Sequence, residues 1–322
     1  MISATSLQYM RKLDLSFIIP AKNEEKSLEI LYAEIIEAVK KIKKTYEIIF
    51  IDDGSEDNTF FKIKNLHKKD KRVRVVSLRG NWGKSVALQI GFDLAAGNTI
   101  FTLDGDLQDN PKDIPAFLKK LDEGYDLVSG WKQKRVDPSF SKVIPSRIIN
   151  TLVRILTGVK IHDINCGYKA YRKEVTQSLN LYGELYRFIP IIVAKQNYKV
   201  VEVAVTHRSR KFGKTNFGWT RGIKGILDLL TIIFLTGYTR RPGHFFGSLG
   251  IGAFFFGFLI GLYIAYLRIA TGSIQFRHPL LFLGMLLMII GIQLISTGLL
   301  AEMIIHSKNK FDYTYAIKKS LP

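Results

Sequence analysis

The sequence predicts a doubly wound α/β fold followed by a membrane hairpin, and two observations carry this prediction. Apolar runs that read as buried strands alternate with helical patterns along residues 1–242, an order typical of βαβ units in a mostly parallel sheet. Beyond them, Gly243–Leu267 and Pro279–Ala301 contain no Asp, Glu, Lys or Arg. Each stretch is long enough to cross a hydrocarbon core of roughly 30 Å as a helix.

Six strands are predicted, each from an apolar run bounded by turn residues. They are Leu15–Pro20, Tyr46–Ile51, Val73–Leu78, Thr99–Leu103, Asp126–Gly130 and Lys199–Val205. Helices are predicted from apolar spacing and capping residues, running from Asn23 to about Lys44, from Ser55 or Asp57 to about His67, from Ser85 to Ala96 and from Pro115 to Glu123. Polar loops follow the first four strands, at the edge of a parallel sheet where ligands bind.

The remaining chain is predicted to lie beside or within a membrane. Ser146–Thr157 reads as a helix, and the apolar but partly charged Gly218–Leu235 suits a helix in the membrane interface. The predicted segments are the α/β domain at 1–216, juxtamembrane interfacial helices at 217–242, two transmembrane helices at 243–306 and a cytosolic basic tail at 307–322. Gly243/Gly247 and Gly257/Gly261 form Gly-x-x-x-Gly pairs, which permit close helix packing. Two buried core helices are the disfavoured alternative, because core helices of this length usually have a polar stripe.

The charge distribution limits the partners of the chain. The net charge is +19, and all but four of these charges lie in residues 1–242. A basic domain beside a membrane suits anionic headgroups and phosphate-bearing substrates. Nucleic acid is disfavoured, because no recognition module is visible. The single cysteine, Cys166, allows no intrachain disulfide, in agreement with a reducing cytosol.

Basic residues flank both apolar stretches and set the predicted orientation. Arg240 and Arg241 precede the first stretch, four lysines follow the second, and the connecting loop holds Arg268, Arg277 and His278. The positive-inside rule therefore places both termini in the cytosol and the short loop outside. An integral protein of a prokaryotic plasma membrane is expected. The oligomeric state is left open, with a homo-oligomer as one candidate because two short spans give little self-contained membrane structure.

The polar loop after the fourth strand contains Asp104, Asp106 and Gln108. Oxygen ligands of this kind suit Mg²⁺ or Mn²⁺, which bridge to substrate phosphates. A polar turn stabilised by Asp side chains is the alternative reading. The position at a strand end, beside other polar loops, favours a metal and diphosphate site.

Two further loops have the character of a nucleotide pocket. Asp52 ends the second strand, where a carboxylate can accept a hydrogen bond from a base N–H, although helix capping explains part of this pattern. Lys84 lies in Gly83-Lys84-Ser85, but Leu78 stands where a P-loop needs its first glycine. A P-loop NTPase is therefore rejected, and Lys84 is predicted to lie near the nucleotide.

Four motifs together resemble one family. Asp-Asp-Gly-Ser-x-Asp-x-Thr, Asn-x-Gly-Lys, Asp-x-Asp-Leu-Gln-Asp and Cys-Gly-Tyr-Lys occur in order from Asp52 to Lys169. The chain is similar to family 2 glycosyltransferases of the GT-A fold, and more narrowly to polyisoprenyl-phosphate glycosyltransferases, relatives of dolichyl-phosphate mannose synthase and bactoprenol glucosyltransferase. The resemblance implies a nucleotide-sugar pocket of Pro20, Ala21, Asn23, Glu24, Asp52, Lys84 and Asp104. It also implies a metal site of Asp104, Asp106 and Gln108, while Asn110 is a departure from which we expect no consequence.

The same resemblance implies an acceptor side. Arg147 and Thr151, together with a second basic cluster of Arg208, Arg210 and Lys214, are expected to bind a lipid phosphate, since phosphate needs such cations. Surface charge facing anionic lipid is the alternative. Asp163 is the candidate base and Asp106 the second catalytic residue. A structural Asp in a loop is the alternative reading of Asp163. Because the acceptor phosphate is already largely dianionic at pH 7, a second alternative is that Asp163 orients the acceptor or the sugar hydroxyls.

The implied activity is transfer of a sugar from a nucleotide donor to polyprenyl phosphate at the cytosolic face. UDP-glucose is the expected donor, inversion at C1 the expected outcome, and Mg²⁺ or Mn²⁺ the expected cofactor. A processive polysaccharide synthase is disfavoured, because those enzymes usually need more spans and a Gln-x-x-Arg-Trp stretch. A non-catalytic membrane sensor of nucleotide sugars is disfavoured by the intact acidic motifs.

Overall fold

A computed structural model describes residues 13–133, 158–209, 242–274, 276–306 and 317–321. The chain forms two compact units, one of Met1–Leu230 with Phe311–Pro322, here called the catalytic unit, and one of Thr231–Lys310, here called the hairpin unit. The predicted interfacial helix at 218–235 and the predicted helix at 146–157 lie outside the described residues.

The catalytic unit alternates strands and helices as predicted. Its elements are β1 (Leu13–Ala21), α1 (Leu28–Ile42), β2 (Tyr46–Asp52), α2 (Thr59–Lys69), β3 (Val73–Leu78), α3 (Lys84–Leu94), β4 (Gly97–Thr102), α4 (Ile114–Asp122), β5 (Leu127–Trp131), β6 (Lys169–Arg172), α5 (Lys173–Ser178), α6 (Ile189–Lys195), β7 (Val200–Ala204) and, after the hairpin unit, β8 (Ile317–Leu321). All six predicted strands are present, with ends shifted by at most a few residues. The strands β6 and β8 and the short helices α5 and α6 were not predicted.

The strands form one mostly parallel sheet in the order β7-β5-β6-β4-β1-β2-β3-β8. Strand β1 lies in the middle, parallel to β2 and to β4, and β2 is parallel to β3. The short β6 runs antiparallel between β4 and β5, while β5 and β7 are parallel. The carboxyl ends of β1, β2 and β4 therefore meet at one edge, where the sequence predicts the ligand loops.

Aromatic side chains fill the core around β4. Phe101 stacks on Phe17 with ring centroids 5.2 Å apart and meets Phe117 of α4 edge-on at 6.0 Å. Phe117 in turn contacts Tyr168, which directly precedes β6, at 4.4 Å. These fully buried rings fix α4 and β6 against β4. The loop after β4 is thus held by packing on both sides.

The C-terminal strand β8 pairs antiparallel with β3, with Val75 opposite Leu321. The sequence analysis placed these residues in the C-terminal tail and predicted no strand there. Without β8, strand β3 would be an edge with unpaired backbone groups, which proteins commonly cover. The chain therefore returns to the catalytic unit after it has passed through the hairpin unit.

The hairpin unit consists of α7 (Pro242–Thr271) and α8 (His278–His306). Both helices are long and apolar enough to cross a membrane. Only 11% of the most apolar window of either helix is buried, so the alternative of two soluble core helices is wrong for this fold. The predicted combination of a GT-A-like sheet with two C-terminal apolar helices is confirmed.

Glycines at seven-residue spacing bring α7 and α8 together. A Cβ atom built on Gly250 would lie 2.6 Å from the carbonyl oxygen of Gly291, and one on Gly257 would lie 2.5 Å from that of Gly284. By contrast, a Cβ on Gly247 or Gly261 would meet nothing within 4 Å. The predicted Gly-x-x-x-Gly pairing is therefore wrong for these two residues. Seven residues make two helical turns, the repeat by which slightly inclined helices keep one seam in contact.

Candidate active site

The loops after β1 and β2 interlock through side chains that cap each other's backbone. The Asn23 N–H donates to the Ser55 hydroxyl at 3.0 Å, and the Glu56 N–H donates to Asn23 Oδ1 at 2.9 Å. The Glu24 N–H donates to the Thr59 hydroxyl at 2.8 Å. Asn23 has a positive φ of 56°, which asparagine tolerates better than most residues. Asn23 and Glu24 thus stand beside the Asp52–Thr59 loop, as the predicted nucleotide pocket requires.

Strand register brings the other predicted pocket residues to the same place. Pro20 and Ala21 lie opposite Ile51 and Asp52 at the carboxyl ends of β1 and β2. The Ala21 carbonyl accepts the N–H of Asp53 at 2.9 Å. This part of the site follows directly from the pairing of two parallel strands.

Asp52 and Asp53, in the loop after β2, accept hydrogen bonds from different parts of the site. Asp52 is buried and accepts from the Ser55 N–H and the Ser77 hydroxyl, both at 3.1 Å. Asp53 accepts the backbone N–H groups of Trp82 at 2.7 Å and Gly83 at 2.9 Å. Burial raises the pKa of Asp53 although these two hydrogen bonds oppose the shift. Asp53 therefore joins the loops after β2 and β3, a role that the sequence analysis missed because it singled out Asp52.

The Lys84 ammonium group forms an ion pair with Asp104 Oδ1. Lys84 is the first residue of α3, and Asp104 follows β4. Burial raises the pKa of Asp104, but the adjacent Lys84 charge outweighs it and holds that pKa below its usual value. Lys84 was predicted to lie near the nucleotide, and the structure places it on the carboxylate of the predicted metal site.

Gly167 lies directly behind Asp104. A Cβ atom at Gly167 would stand 2.5 Å from Asp104 Oδ2, so any side chain at this position would have to displace the carboxylate. The Gly167 carbonyl accepts the Thr102 hydroxyl at 2.8 Å, which ties the residue to the end of β4. The Cys-Gly-Tyr-Lys motif, which leads into β6, thus lies against the predicted metal site.

Two lysines lie near the acidic residues of this loop: Lys169 is buried and Lys132 is partly buried. Lys169 donates to the Cys166 carbonyl, and burial lowers its pKa to about 8. Lys132 lies 3.1 Å from Asp109 Oδ1; burial alone would lower its pKa, but Asp109 outweighs it and raises the pKa. Lys169 ends the Cys-Gly-Tyr-Lys motif, but the sequence analysis assigned a role to neither lysine.

Asp106 and Gln108 form a tight turn beside Asp104. The Gln108 N–H donates to Asp106 Oδ1 at 3.1 Å, and Leu107 between them has a φ of 64°. Asp106 is 8% exposed. Within the described residues no three His, Cys, Asp or Glu side chains gather as a complete metal cage. Two carboxylates and an amide oxygen nevertheless fit a hard cation that takes its remaining ligands from a diphosphate.

The acceptor-side residues are only partly described. Asp163 is buried, and its N–H donates to Glu202 Oε1 at 2.9 Å. The Arg208 guanidinium donates to both oxygens of Glu34, at 2.7 and 2.9 Å, and to Asn110. Asn110, where the chain departs from the family pattern, is thus a hydrogen-bond partner of Arg208. The predicted residues Arg147, Thr151, Arg210 and Lys214 lie outside the described residues.

The backbone of Arg208 is hydrogen-bonded to the loop after β4. Its N–H donates to the Gln108 carbonyl at 3.0 Å. Its side chain lines a cavity of about 170 Å³ together with Glu34, Lys41 and Asn110. Within the part of the chain that the structure describes, no other predicted site residue lines this cavity, so its volume does not define the candidate active site.

Comparison with known proteins decides the family. The model of glycosyl transferase family 2 matches residues 16–179. The chain belongs to glycosyl transferase family 2. A dodecaprenyl-phosphate galacturonate synthase from Rhizobium johnstonii is 40% identical over 299 residues, which cover 92% of this chain and 88% of the relative. An undecaprenyl-phosphate 4-deoxy-4-formamido-L-arabinose transferase from Shewanella sediminis is 35% identical over 294 residues, covering 90% and 86% of the two chains.

Solved structures support the fold of this family 2 glycosyltransferase. A glucosyl-3-phosphoglycerate synthase from Mycobacterium tuberculosis superposes with a TM-score of 0.54 at 21% identity. The match covers 69% of this chain and 80% of that chain. The predicted resemblance to family 2 and the prediction of an enzyme are both confirmed.

Proposed function

We propose that this family 2 glycosyltransferase moves a sugar from a nucleotide-sugar donor to the phosphate of a polyprenol at the cytosolic face of a membrane. The observation that carries the proposal is the meeting of Asp104 and Asp106 with the loops after β1 and β2 in a chain that also has two membrane-length helices. Relatives that align over about nine tenths of the chain are named for polyprenyl-phosphate acceptors.

The donor side is proposed to bind the nucleotide diphosphate and a divalent cation. Asp106 and Gln108, with Asp104, would hold Mg²⁺ or Mn²⁺, and the bound ion would neutralise charge on the leaving diphosphate. Lys84 beside Asp104 keeps that carboxylate ionised. Its ammonium group can also stabilise the negative charge that develops on the leaving diphosphate. The pocket of Pro20, Ala21, Asn23, Glu24 and Asp52 is proposed to receive the nucleoside.

On the acceptor side, an oxygen of the lipid phosphate would attack C1 of the sugar while the bond from C1 to the diphosphate breaks. A single displacement of this kind inverts C1. The phosphate is already anionic at pH 7, so we propose that Asp163 orients the acceptor or the sugar hydroxyls. Arg147, Thr151, Arg208, Arg210 and Lys214 remain the proposed lipid-phosphate residues, and Arg208 would have to exchange its Glu34 partner.

Three sugars are candidates for the group that is transferred. UDP-glucose is the donor that the sequence analysis predicted, yet the relatives are named for galacturonate and for 4-deoxy-4-formamido-L-arabinose. We therefore propose a UDP-sugar, with these two sugars and glucose as the candidates to be compared.

The connectivity of the chain supports the proposed orientation. Since β8 pairs with β3 after the chain has passed through α7 and α8, both ends of the hairpin unit connect to the catalytic unit. If the hairpin unit crosses the membrane twice, the chain segments before and after it lie on the same side as the catalytic unit. Together with the basic flanks, this favours cytosolic termini.

The test is to incubate membranes that contain the full chain with labelled UDP-sugars and either polyprenyl phosphate or 3-phosphoglycerate. The proposal predicts label in the organic phase with polyprenyl phosphate alone, and its loss on chelation of divalent cations. Transfer to 3-phosphoglycerate instead would overturn the acceptor. Nucleotide-sugar binding with no transfer to any acceptor would favour the sensor reading.

A further inference from the structure

The Glu202 carboxylate accepts hydrogen bonds from the backbone N–H groups of two consecutive residues. Its Oε1 accepts the N–H of Asp163 at 2.9 Å, and both of its oxygens lie 2.9 Å from the backbone N of His162. Its Oε2 is also 2.8 Å from His162 Nδ1. Glu202 has only 9% of its side chain exposed. These bonds join residues about 40 positions apart, at the turn that carries the candidate acceptor-side residue Asp163.

The chemistry of this contact favours a carboxylate. Two successive backbone N–H groups that point at one anion form a small concave anion site, and hydrogen bonds to an ionised acceptor are stronger than neutral ones. Strand β7 presents Glu202 to this turn because side chains alternate along a strand. Its neighbours Val201 and Val203 face the hydrophobic core instead.

The strand that carries Glu202 continues to the predicted metal site. Beyond β7, the Thr206 N–H donates to Asp113 Oδ2 at 2.9 Å, and the Arg208 N–H donates to the Gln108 carbonyl at 3.0 Å. One continuous segment, residues 200–208, therefore bonds the Asp163 turn near one end and the Gln108 turn at the other. This segment connects the two turns.

The His162 imidazole has a second support of its own. Its ring stacks on Trp131 with centroids 4.4 Å apart and an interplanar angle of 15°. The ring is thus positioned by Trp131 as well as by Glu202. For the backbone of the turn, the contribution of Glu202 is the set of hydrogen bonds to the N–H groups of His162 and Asp163.

We propose that Glu202 is a positioning residue for sugar transfer, which holds the backbone of Asp163 at a fixed place relative to the Gln108 turn. The inference rests on the proposed function, in which Asp163 orients the acceptor or the sugar. A small displacement of Asp163 then lowers the rate of transfer and leaves donor binding unchanged, since the donor loops are held by other contacts.

The experiment compares the purified full chain with Glu202→Ala, Glu202→Gln and His162→Asn. Steady-state kinetics give kcat and the KM of the donor, titration with UDP reports the donor side, and hydrogen exchange follows the amides of His162 and Asp163. We expect Glu202→Ala to lower kcat about 100-fold, the scale of a misplaced reacting group. We also expect faster exchange at the two amides, with the donor KM and UDP affinity within about twofold.

Two matched variants separate positioning from other roles. Glu202→Gln keeps a carbonyl oxygen that can accept both N–H groups, so it should recover most of the rate. His162→Asn removes the imidazole but keeps both backbone bonds, and should stay within about threefold of the wild type. In a double variant with Asp163→Asn, the loss of Glu202 should add little, since both act through one group.

Each outcome has a defined meaning. A kcat of Glu202→Ala close to that of the wild type overturns the proposal, whatever happens to amide exchange. Equal losses of kcat and UDP affinity overturn it in favour of a general structural role, and a loss in His162→Asn as large as in Glu202→Ala moves the effect to the imidazole. Absence of transfer by the wild type overturns the proposed function, and this inference with it.

Discussion

The catalytic unit and the hairpin unit both bring groups into close contact at glycines, but they use this closeness differently. In the catalytic unit, Gly167 leaves room for the Asp104 carboxylate, and Asp104 in turn pairs with Lys84. In the hairpin unit, Gly250 and Gly257 meet glycines of α8, and the seam is apolar. Close packing positions charges in the first unit and only shortens the distance between helices in the second.

This difference predicts where substitutions act. Changes near the glycines of the catalytic unit should alter the rate of transfer and the response to pH. Changes at the hairpin seam should alter helix separation and stability. The following variants test the distinction from the largest expected effect to the smallest.

Asp106→Asn should reduce kcat/KM at least about 1000-fold, equivalent to about 4 kcal/mol in the barrier, because it removes a charge from the proposed metal site. Transfer assays with a saturating divalent cation check this result. The exposed Asp122→Asn on α4 is the matched control and should retain activity. Comparable activity of Asp106→Asn and wild type would exclude the metal role of this carboxylate.

Gly167→Ala should lower kcat about 100-fold, since the added methyl group overlaps the place of Asp104 Oδ2 and must displace it. Gly80→Ala is the control, because a Cβ there meets nothing within 4 Å. Thermal unfolding should show that both variants remain folded. An active Gly167→Ala enzyme would show that Asp104 tolerates displacement.

Gly291→Leu should destabilise the hairpin unit by about 3 kcal/mol, the upper end of the cost of overpacking. Its side chain would collide with the Gly250 carbonyl. Spin labels at the exposed positions Leu249 and Ile292 should report a separation larger by about 2 Å. Gly247→Leu, which has open space, should leave the distance unchanged. An effect of equal size in both variants would contradict the seven-residue seam.

Lys169→Met tests the buried charge of the catalytic unit through pH. The folded-state pKa of Lys169 is lowered by burial to about 8 from a usual value of 10.5. Between these values the unfolded chain binds one more proton, so the free energy of unfolding rises with pH. From pH 7 to 9.5 the wild type should gain up to about 2 kcal/mol relative to Lys169→Met.

Unfolding curves at several pH values measure this gain. The exposed Lys195→Met on α6 is the matched surface control. A constant difference between wild type and Lys169→Met across the range would show that Lys169 keeps its proton when folded.

Much of the donor side could be predicted from the sequence because local patterns encode it. Apolar runs ended by polar loops located β1, β2 and β4, and parallel pairing then brought Ala21, Asp52 and Asp104 to one edge. The Asp-x-Asp and Asn-x-Gly-Lys motifs did not reveal that Lys84 pairs with Asp104. That contact depends on how α3 starts beside β4.

Contacts between distant segments could not be predicted. Glu202 lies about 40 residues from the turn it holds, and its neighbours on β7 show only ordinary strand alternation. Strand β8 contains two lysines and does not stand out as an apolar run, and it pairs with the edge of β3. In the hairpin unit, four-residue glycine spacing suggested a seam, yet the antiparallel helices meet at seven-residue spacing.

The most direct test of the central claim is to reconstitute the purified full chain in lipid nanodiscs with polyprenyl phosphate and to offer single UDP-sugars. Mass spectrometry then identifies the lipid product. The account predicts a polyprenyl monophosphate that carries one sugar, formed with Mg²⁺ or Mn²⁺ and absent after chelation or in Asp106→Asn. A product that carries several sugars, or transfer that persists in the chelated enzyme, would contradict it.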